Sequence, residues 1–233
     1  MTDRPILFSS PMVRALLAGQ KTQTRRVLMK TRNGTPVEMH PDGRSVPFND
    51  PKQWGFPYYD RSTDSHDVMF LPDYVKGLFK VGDRLWVREA WRTTCNIDGV
   101  KPRFLDAGHR SKVTFEADPE NRNPLWAFGR LRPGMHMPRW ASRLTLTVTD
   151  VRVQRLQEIS EADAIAEGLR WRDALQAWTA GGDNWPTFLD PRRSYAGLWN
   201  HLNAERGFGW ETNPWVVAVS FTADRRNIDA VAA

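Results

Sequence analysis

A single cysteine, Cys95, occurs in a chain of 233 residues. That excludes an internal disulfide and a cysteine metal cluster, and it points to a reducing cytosol. Long apolar runs are missing as well. Nothing approaches the ~20 residues needed to span a bilayer. The opening residues, Met1-Thr2-Asp3-Arg4-Pro5, lack the basic-then-apolar order of a secretory leader. A cytoplasmic protein with no membrane partner is the expectation. Histidines stand only at 40, 66, 109, 136 and 201, with no pair at metal-ligand spacing, so neither metal nor cofactor is expected. There is no Gly-x-Ser-x-Gly elbow, no Gly-rich phosphate loop ahead of Lys-Ser/Thr and no dinucleotide fingerprint. Repeats and low-complexity tracts are absent too.

What the chain does have is basic charge and tryptophan. Its 33 Lys and Arg exceed its 27 Asp and Glu, giving +6 and a pI near 9.8. That balance favours anionic partners, with a nucleoside, nucleotide or RNA first and DNA as an alternative. Eleven tryptophans are present, several beside arginine, as in Trp86/Arg88, Trp91/Arg92, Arg139/Trp140 and Arg170-Trp171-Arg172. Those residue types build stacking platforms for bases. Core filling is the competing reading for more than half of the tryptophans. At 40% hydrophobic the chain can bury a core, so wholesale disorder is excluded.

The densest local pattern is Gly19-Gln20-Lys21-Thr22-Gln23-Thr24-Arg25-Arg26. It follows the amphipathic segment 11–18, which predicts a helix with Ser10 as its N-cap and Pro11 at its first position. Gly19 can take the positive φ that closes such a helix. Thr22 to Leu28 then reads as a strand. Its alternation sends Lys21, Gln23 and Arg25 one way and Thr22, Thr24 and Arg26 the other. A lysine, two threonines and two arginines in six positions suit an anionic or polar ligand. A solvated helix end with cations favoured by the macrodipole is the plain alternative.

Further strands are predicted at 6–8, 85–91, 112–117, 143–153 and 215–221, and helices at 161–167 and 194–203, with another at 172–178. The proline-rich stretch 30–78, and stretches 94–111, 119–138 and 170–191, read as insertions. One domain over 1–225, with a frayed tail at 226–233, is the expected organisation. With strands dominating and no regular strand-helix alternation, an α+β or mainly β fold is expected. A small β-barrel with peripheral helices and long loop insertions is the economical form.

The order of helix, Gly-x-Lys-Thr-x-Thr-Arg, Gly-Asp-x-Leu-x-Val strand, Ala-x-x-Glu-Gly helix and final apolar strand resembles the ASCH domain family. The pieces are Gly19 to Arg25, Gly82 to Val87, Leu144 to Val151, Ile159 to Gly168 and Pro214 to Phe221, roughly a third of the chain. The length is similar to the larger phage- and prophage-borne members. The resemblance implies a PUA-like barrel. It also implies distant kinship with amidohydrolases that deacylate N4-acetylcytidine using a lysine, a threonine and a glutamate. Lys21 and Thr24 occupy the motif positions. Glu167 matches the glutamate, with Glu161 or Glu158 as alternatives if the register slips. Other ASCH members resemble ribonucleases that use the motif lysine with a tyrosine and a strand serine. Lys21 and Ser142 match that pattern, but the tyrosine position falls on Ala15.

The resemblance and the residues together imply three open functions: hydrolysis of an N4-acylated cytosine, non-catalytic RNA or DNA binding, and RNA cleavage through Lys21. Arg25 and Arg26 are the expected anion contacts. Trp86, Arg88, Trp91 and Trp140 are candidate linings of a base groove, and Ser142 is a candidate phosphate contact. Glu89 shares a strand face with Leu85 and Val87. It is therefore either a structural ion-pair partner or a polar group at the mouth of a site. Lys21 precedes Thr24 by three residues, so a regular strand would turn the two apart. The hydrolase reading expects a bend or bulge that reunites them.

Overall fold

The computed structural model describes residues 2–28, 79–118, 120, 125–181 and 187–230, and the backbone alone of 55–60 and 65–70. Most of the predicted insertion at 30–78 lies outside these residues. Its described part is an antiparallel backbone hairpin of β3 (Gly55–Asp60) and β4 (Ser65–Phe70).

Five strands form the central sheet: β1 (Asp3–Leu7), β2 (Gln23–Val27), β5 (Arg84–Arg88), β8 (Thr145–Arg155) and β11 (Trp215–Asp224). Their spatial order is β1-β5-β8-β11-β2. The β1–β5 pair is parallel and the other three pairs are antiparallel. The long β8–β11 ladder carries an irregularity at Ser220/Phe221, where a one-residue shift bends the strand.

This corrects the expectation of a barrel. Strands β1 and β2 are the two edges, and no ladder joins them among the described residues. Side chains span the seam instead. The Arg26 guanidinium donates to the Leu7 carbonyl at 2.7 Å and lies 5.3 Å from the centre of the Phe8 ring. Among the described residues the sheet is open between β1 and β2.

Helix α1 (Ser10–Leu17) connects the two edge strands. Its N-cap is Ser9, one residue before the predicted Ser10, and Pro11 sits in the first turn, where a missing N–H costs nothing. Gly19 closes the helix at φ 71°. The Ala15 carbonyl then accepts from both Gln20 (2.9 Å) and Lys21 (3.1 Å), folding the chain back onto the helix before β2 begins. Val13 and Leu16 of α1 pack with Ile6, Phe8, Leu85, Leu146 and Val219 in the main core.

A second core packs helices α2 (Glu161–Ala166) and α3 (Pro191–Asn203) against Val216 and the 156–159 turn. Ser160 caps α2, accepting from the Asp163 amide at 3.0 Å. Gly168, at φ 102°, ends it. The predicted helix at 172–178 is instead a short hairpin of β9 (Arg170–Arg172) and β10 (Ala177–Thr179). The reason is local: Gln176 takes a left-handed turn at φ 46°, and Trp171 and Trp178 stack edge to face across the hairpin at 5.6 Å.

Stretches 94–111 and 125–138 are not plain loops. With β6 (Trp91–Thr93) and β7 (Val113–Phe115) they build a third core around Trp91, Leu105, Met137 and Ala141. The end of the chain also differs from the frayed tail. Ile228 is buried, and Asn227 donates to the Ser142 carbonyl at 2.7 Å. Residues 226–230 therefore pack onto the body.

Candidate functional site

A cavity of about 450 Å³ opens along the seam between the edge strands. Leu7, Ser9 and Met12 form one wall, Thr24 to Val27 the second, and Glu167, Tyr195, Leu198 and Trp199 the third. Its location follows from the open sheet. A closed barrel would have filled this gap with backbone hydrogen bonds; here side chains from β1, α1, β2 and the two later helices surround an opening.

Beneath it lies a buried charge network. The Lys21 ammonium donates to the Glu167 carboxylate (Oε2, 2.8 Å) and to the Glu167 backbone carbonyl (2.7 Å). Arg25 spans Glu167 Oε1 at 3.2 Å and Asp163 Oδ2 at 3.0 Å. It also donates to Gln23, whose amide nitrogen reaches Asp163 at 3.1 Å. The Tyr195 hydroxyl approaches Glu167 Oε1 at 3.4 Å. The Lys21 and Arg25 side chains are wholly shielded from solvent. Burial pulls the Lys21 ammonium below the usual lysine value; Glu167 opposes this, and Arg26 and Arg25 add to it. Burial first, then the Glu167 charge, pushes the Tyr195 phenol well above the ordinary tyrosine range, so it remains a donor.

Lys21, Gln23 and Arg25 all meet the same helix, so the strand alternation persists across the motif. The expected bend between Lys21 and Thr24 is not what brings the motif together. Lys21 pairs with Glu167 as an isolated bridge ahead of β2, and Thr24 lines the cavity from the edge strand β2. The Thr24 hydroxyl makes no hydrogen bond among the described residues. Glu167 faces the cavity, while Lys21 lies behind it and outside the lining.

Of the three glutamates considered, Glu167 is the one in the network. Glu158 instead caps its own turn, accepting from the Arg155 amide at 3.0 Å, and Glu161 is exposed. Arg26 lines the cavity and holds the seam. The remaining candidates lie elsewhere. Glu89 is buried and gripped at both oxygens by Arg143, at 2.8 and 2.9 Å, with Asp118 on the same guanidinium. Burial raises the Glu89 carboxyl above the usual range, and Arg143 offsets part of the rise. Of its two sequence readings, this geometry is that of a structural ion pair. Trp91 is fully buried in the third core, and Trp140 donates to the Leu105 carbonyl at 3.0 Å. Ser142 is buried, its hydroxyl donating to the carbonyl of Val87 at 2.9 Å, which leaves it no phosphate contact. Trp86 is buried beneath Arg88, whose guanidinium carbon lies 4.6 Å from the ring centre.

Sequence reasoning missed Asp163, Tyr195 and Gln23. One signal was present: Asp163 and Glu167 are four residues apart, which places both carboxylates on one face of the helix end, opposite a basic strand. Tyr195 carried no local signal, because its role depends on how α3 docks. Among the described residues no cluster of His, Cys, Asp and Glu could hold a metal, and no helix is long and apolar enough to cross a membrane.

No protein-family model and no curated protein matches the chain. Among solved structures it is similar to protein EF3133 from Enterococcus faecalis V583, described under the family label DUF984. That likeness has 12% identity and a TM-score of 0.37, over 98% of this chain and 79% of the other.

Proposed function

We propose that the seam cavity binds a pyrimidine nucleoside or nucleotide and hydrolyses an exocyclic amide of the N4-acylcytosine type. The observation that carries this reading is the buried Lys21–Glu167 pair set directly against a cavity that Thr24 also lines. The resemblance of the Gly19 to Arg25 motif to ASCH amidohydrolases supports it.

In this reading the Thr24 hydroxyl attacks the acyl carbon and its proton passes to Glu167, the carboxylate facing the cavity. The proton then moves to the departing N4 amine. Water, deprotonated by the same carboxylate, releases the acyl group from Thr24 as a carboxylic acid. Lys21 is a positioning residue here rather than the base. Its ammonium holds the Glu167 carboxylate in place at the cavity wall. Arg25 and Arg26 supply positive charge near the tetrahedral oxyanion.

The test is turnover of N4-acetylcytidine, followed by the change in cytosine absorbance. Thr24→Val should reduce the rate by at least about 100-fold, a typical contribution for a positioned group. Thr24→Ser should retain a measurable rate. Wild-type protein that leaves every N4-acylated cytosine intact would sink the proposal.

A binding module without catalysis is the second reading. One observation favours it: both oxygens of Glu167 and two of the three Lys21 N–H donors are already engaged within the protein. It expects tight ligand binding with no turnover. The ribonuclease reading lacks its serine, since Ser142 is buried away from the cavity.

A further inference from the structure

Beside the first cavity lies a second, of about 420 Å³, between the end of β5 and residues 101–103 and 135–138. Arg88, Lys101, Arg103, Met135 and His136 line it, and no carboxylate does among the described residues. None of these three cations forms an ion pair with a described residue. The Arg88 Nε is buried without a hydrogen-bond partner. Its guanidinium is stacked 4.6 Å over Trp86, which fixes its plane where Arg88 lines the cavity. Arg103 is fixed similarly, 4.8 Å from the centre of the Phe104 ring. Three cations held together without counter-charge repel one another, and an anion relieves that repulsion.

The two cavities adjoin. Leu7 lines the first, and its in-register partner across the parallel β1–β5 pair is Arg88 of the second. Paired residues on neighbouring strands, about 4.8 Å apart, point to the same face. Leu7 also abuts the 134–137 segment: a Cβ on Gly134 would lie 2.8 Å from the Leu7 side chain. Half-exposed Leu7 therefore lines the first opening and touches elements that build the second.

We infer that the second cavity is a phosphate site for the ligand whose base occupies the first. The preferred substrate is then a phosphorylated nucleoside, free or within a single strand, over the bare nucleoside. Met135 lines the opening and is strongly exposed, as is Phe104 next to Arg103, and such side chains can carry further bases. This inference rests on the first cavity being the nucleobase pocket.

Equilibrium binding tests it, with four probes: N4-acetylcytidine, its 5′-monophosphate, a short single-stranded RNA containing one N4-acetylcytidine, and the same RNA unmodified. Titrations run at about 50 and 200 mM salt. Wild type should bind the phosphorylated probes at least about tenfold more tightly than the nucleoside. Arg88→Gln and Arg103→Gln should each remove about tenfold of that gain, lower the salt dependence for RNA, and leave nucleoside affinity unchanged. Arg103 is exposed, so its variant keeps the fold even if Arg88→Gln does not. RNA binding far above the monophosphate assigns the phosphate to a strand; equal binding assigns it to a free nucleotide. Equal affinity for nucleoside and monophosphate, or wild-type affinity in the Arg103 variant, overturns the site. Arginine-dependent RNA binding without deacylation of any probe leaves the phosphate site standing and removes the hydrolase reading.

Discussion

Lys21 meets Glu167 twice, through the carboxylate at 2.8 Å and through the backbone carbonyl at 2.7 Å, with both side chains buried. The contact joins the turn after α1 to the end of α2, and so couples the seam to the helical layer. Breaking a buried pair by removing one partner leaves an uncompensated charge. Lys21→Ala should therefore cost about 3–5 kcal/mol of unfolding free energy. Denaturant titration measures it. In a double-mutant cycle with Glu167→Gln, the two changes should be non-additive by about 0.5–3 kcal/mol. Additive losses would mean that the pair is not coupled in solution.

Gly168 holds this junction tight. Its φ is 102°, and a Cβ there would approach Ala15 Cβ at 3.0 Å and Lys21 Cβ at 3.2 Å. Gly168→Ala combines backbone strain with a push on Lys21. It should lower stability by about 1–3 kcal/mol. It should also lower turnover or ligand affinity, although residue 168 does not line the cavity. A change at Gly207, also at positive φ but with open space around its Cβ, should cost only the backbone term.

Arg25 bridges Glu167 and Asp163 with one planar fork. A lysine keeps the charge but cannot span two carboxylates, so Arg25→Lys is not a conservative change. The expected loss is about 1.5–3 kcal/mol for the charged hydrogen bonds given up. Thermal melting checks it; an unchanged melting temperature would show that the bridge contributes nothing.

Glu89 supplies a pH dependence. Burial raises its folded-state carboxyl above the ordinary value of 4.5, even after the opposing effect of Arg143. Above pH 4.5 the folded form therefore holds its proton longer than the unfolded form. The stability linked to this group is complete below that pH and declines as pH rises through the raised value. Glu89→Gln abolishes the titration. The stability of the variant relative to wild type should thus improve as pH climbs from about 4 to 7. A difference that is flat with pH, or that runs the other way, would contradict the assignment.

Some of this molecule was legible in the residues themselves. The closing glycine at 19, the Ser160 cap and the strands around 85, 145 and 215 depend on neighbours within a few positions, and they formed where local pattern put them. The hairpin at 170–179 did not follow its helical appearance, because a left-handed Gln176 and a tryptophan pair outweighed propensity. Trp91, Ser142 and Glu89 looked like site residues by type, yet burial gave each an internal partner or a core position.

The sequence by itself determined that Lys21, Gln23 and Arg25 share a strand face, and that Asp163 and Glu167 share a helix face, since backbone periodicity depends only on spacing. Tertiary structure alone decided that these faces meet, and that Tyr195 joins them from α3. It also decided that the sheet stays open between β1 and β2, leaving a cavity where a closed barrel would have placed hydrogen bonds. Strand pairing across more than a hundred residues of chain follows from the balance of the whole core, and no local pattern encodes it.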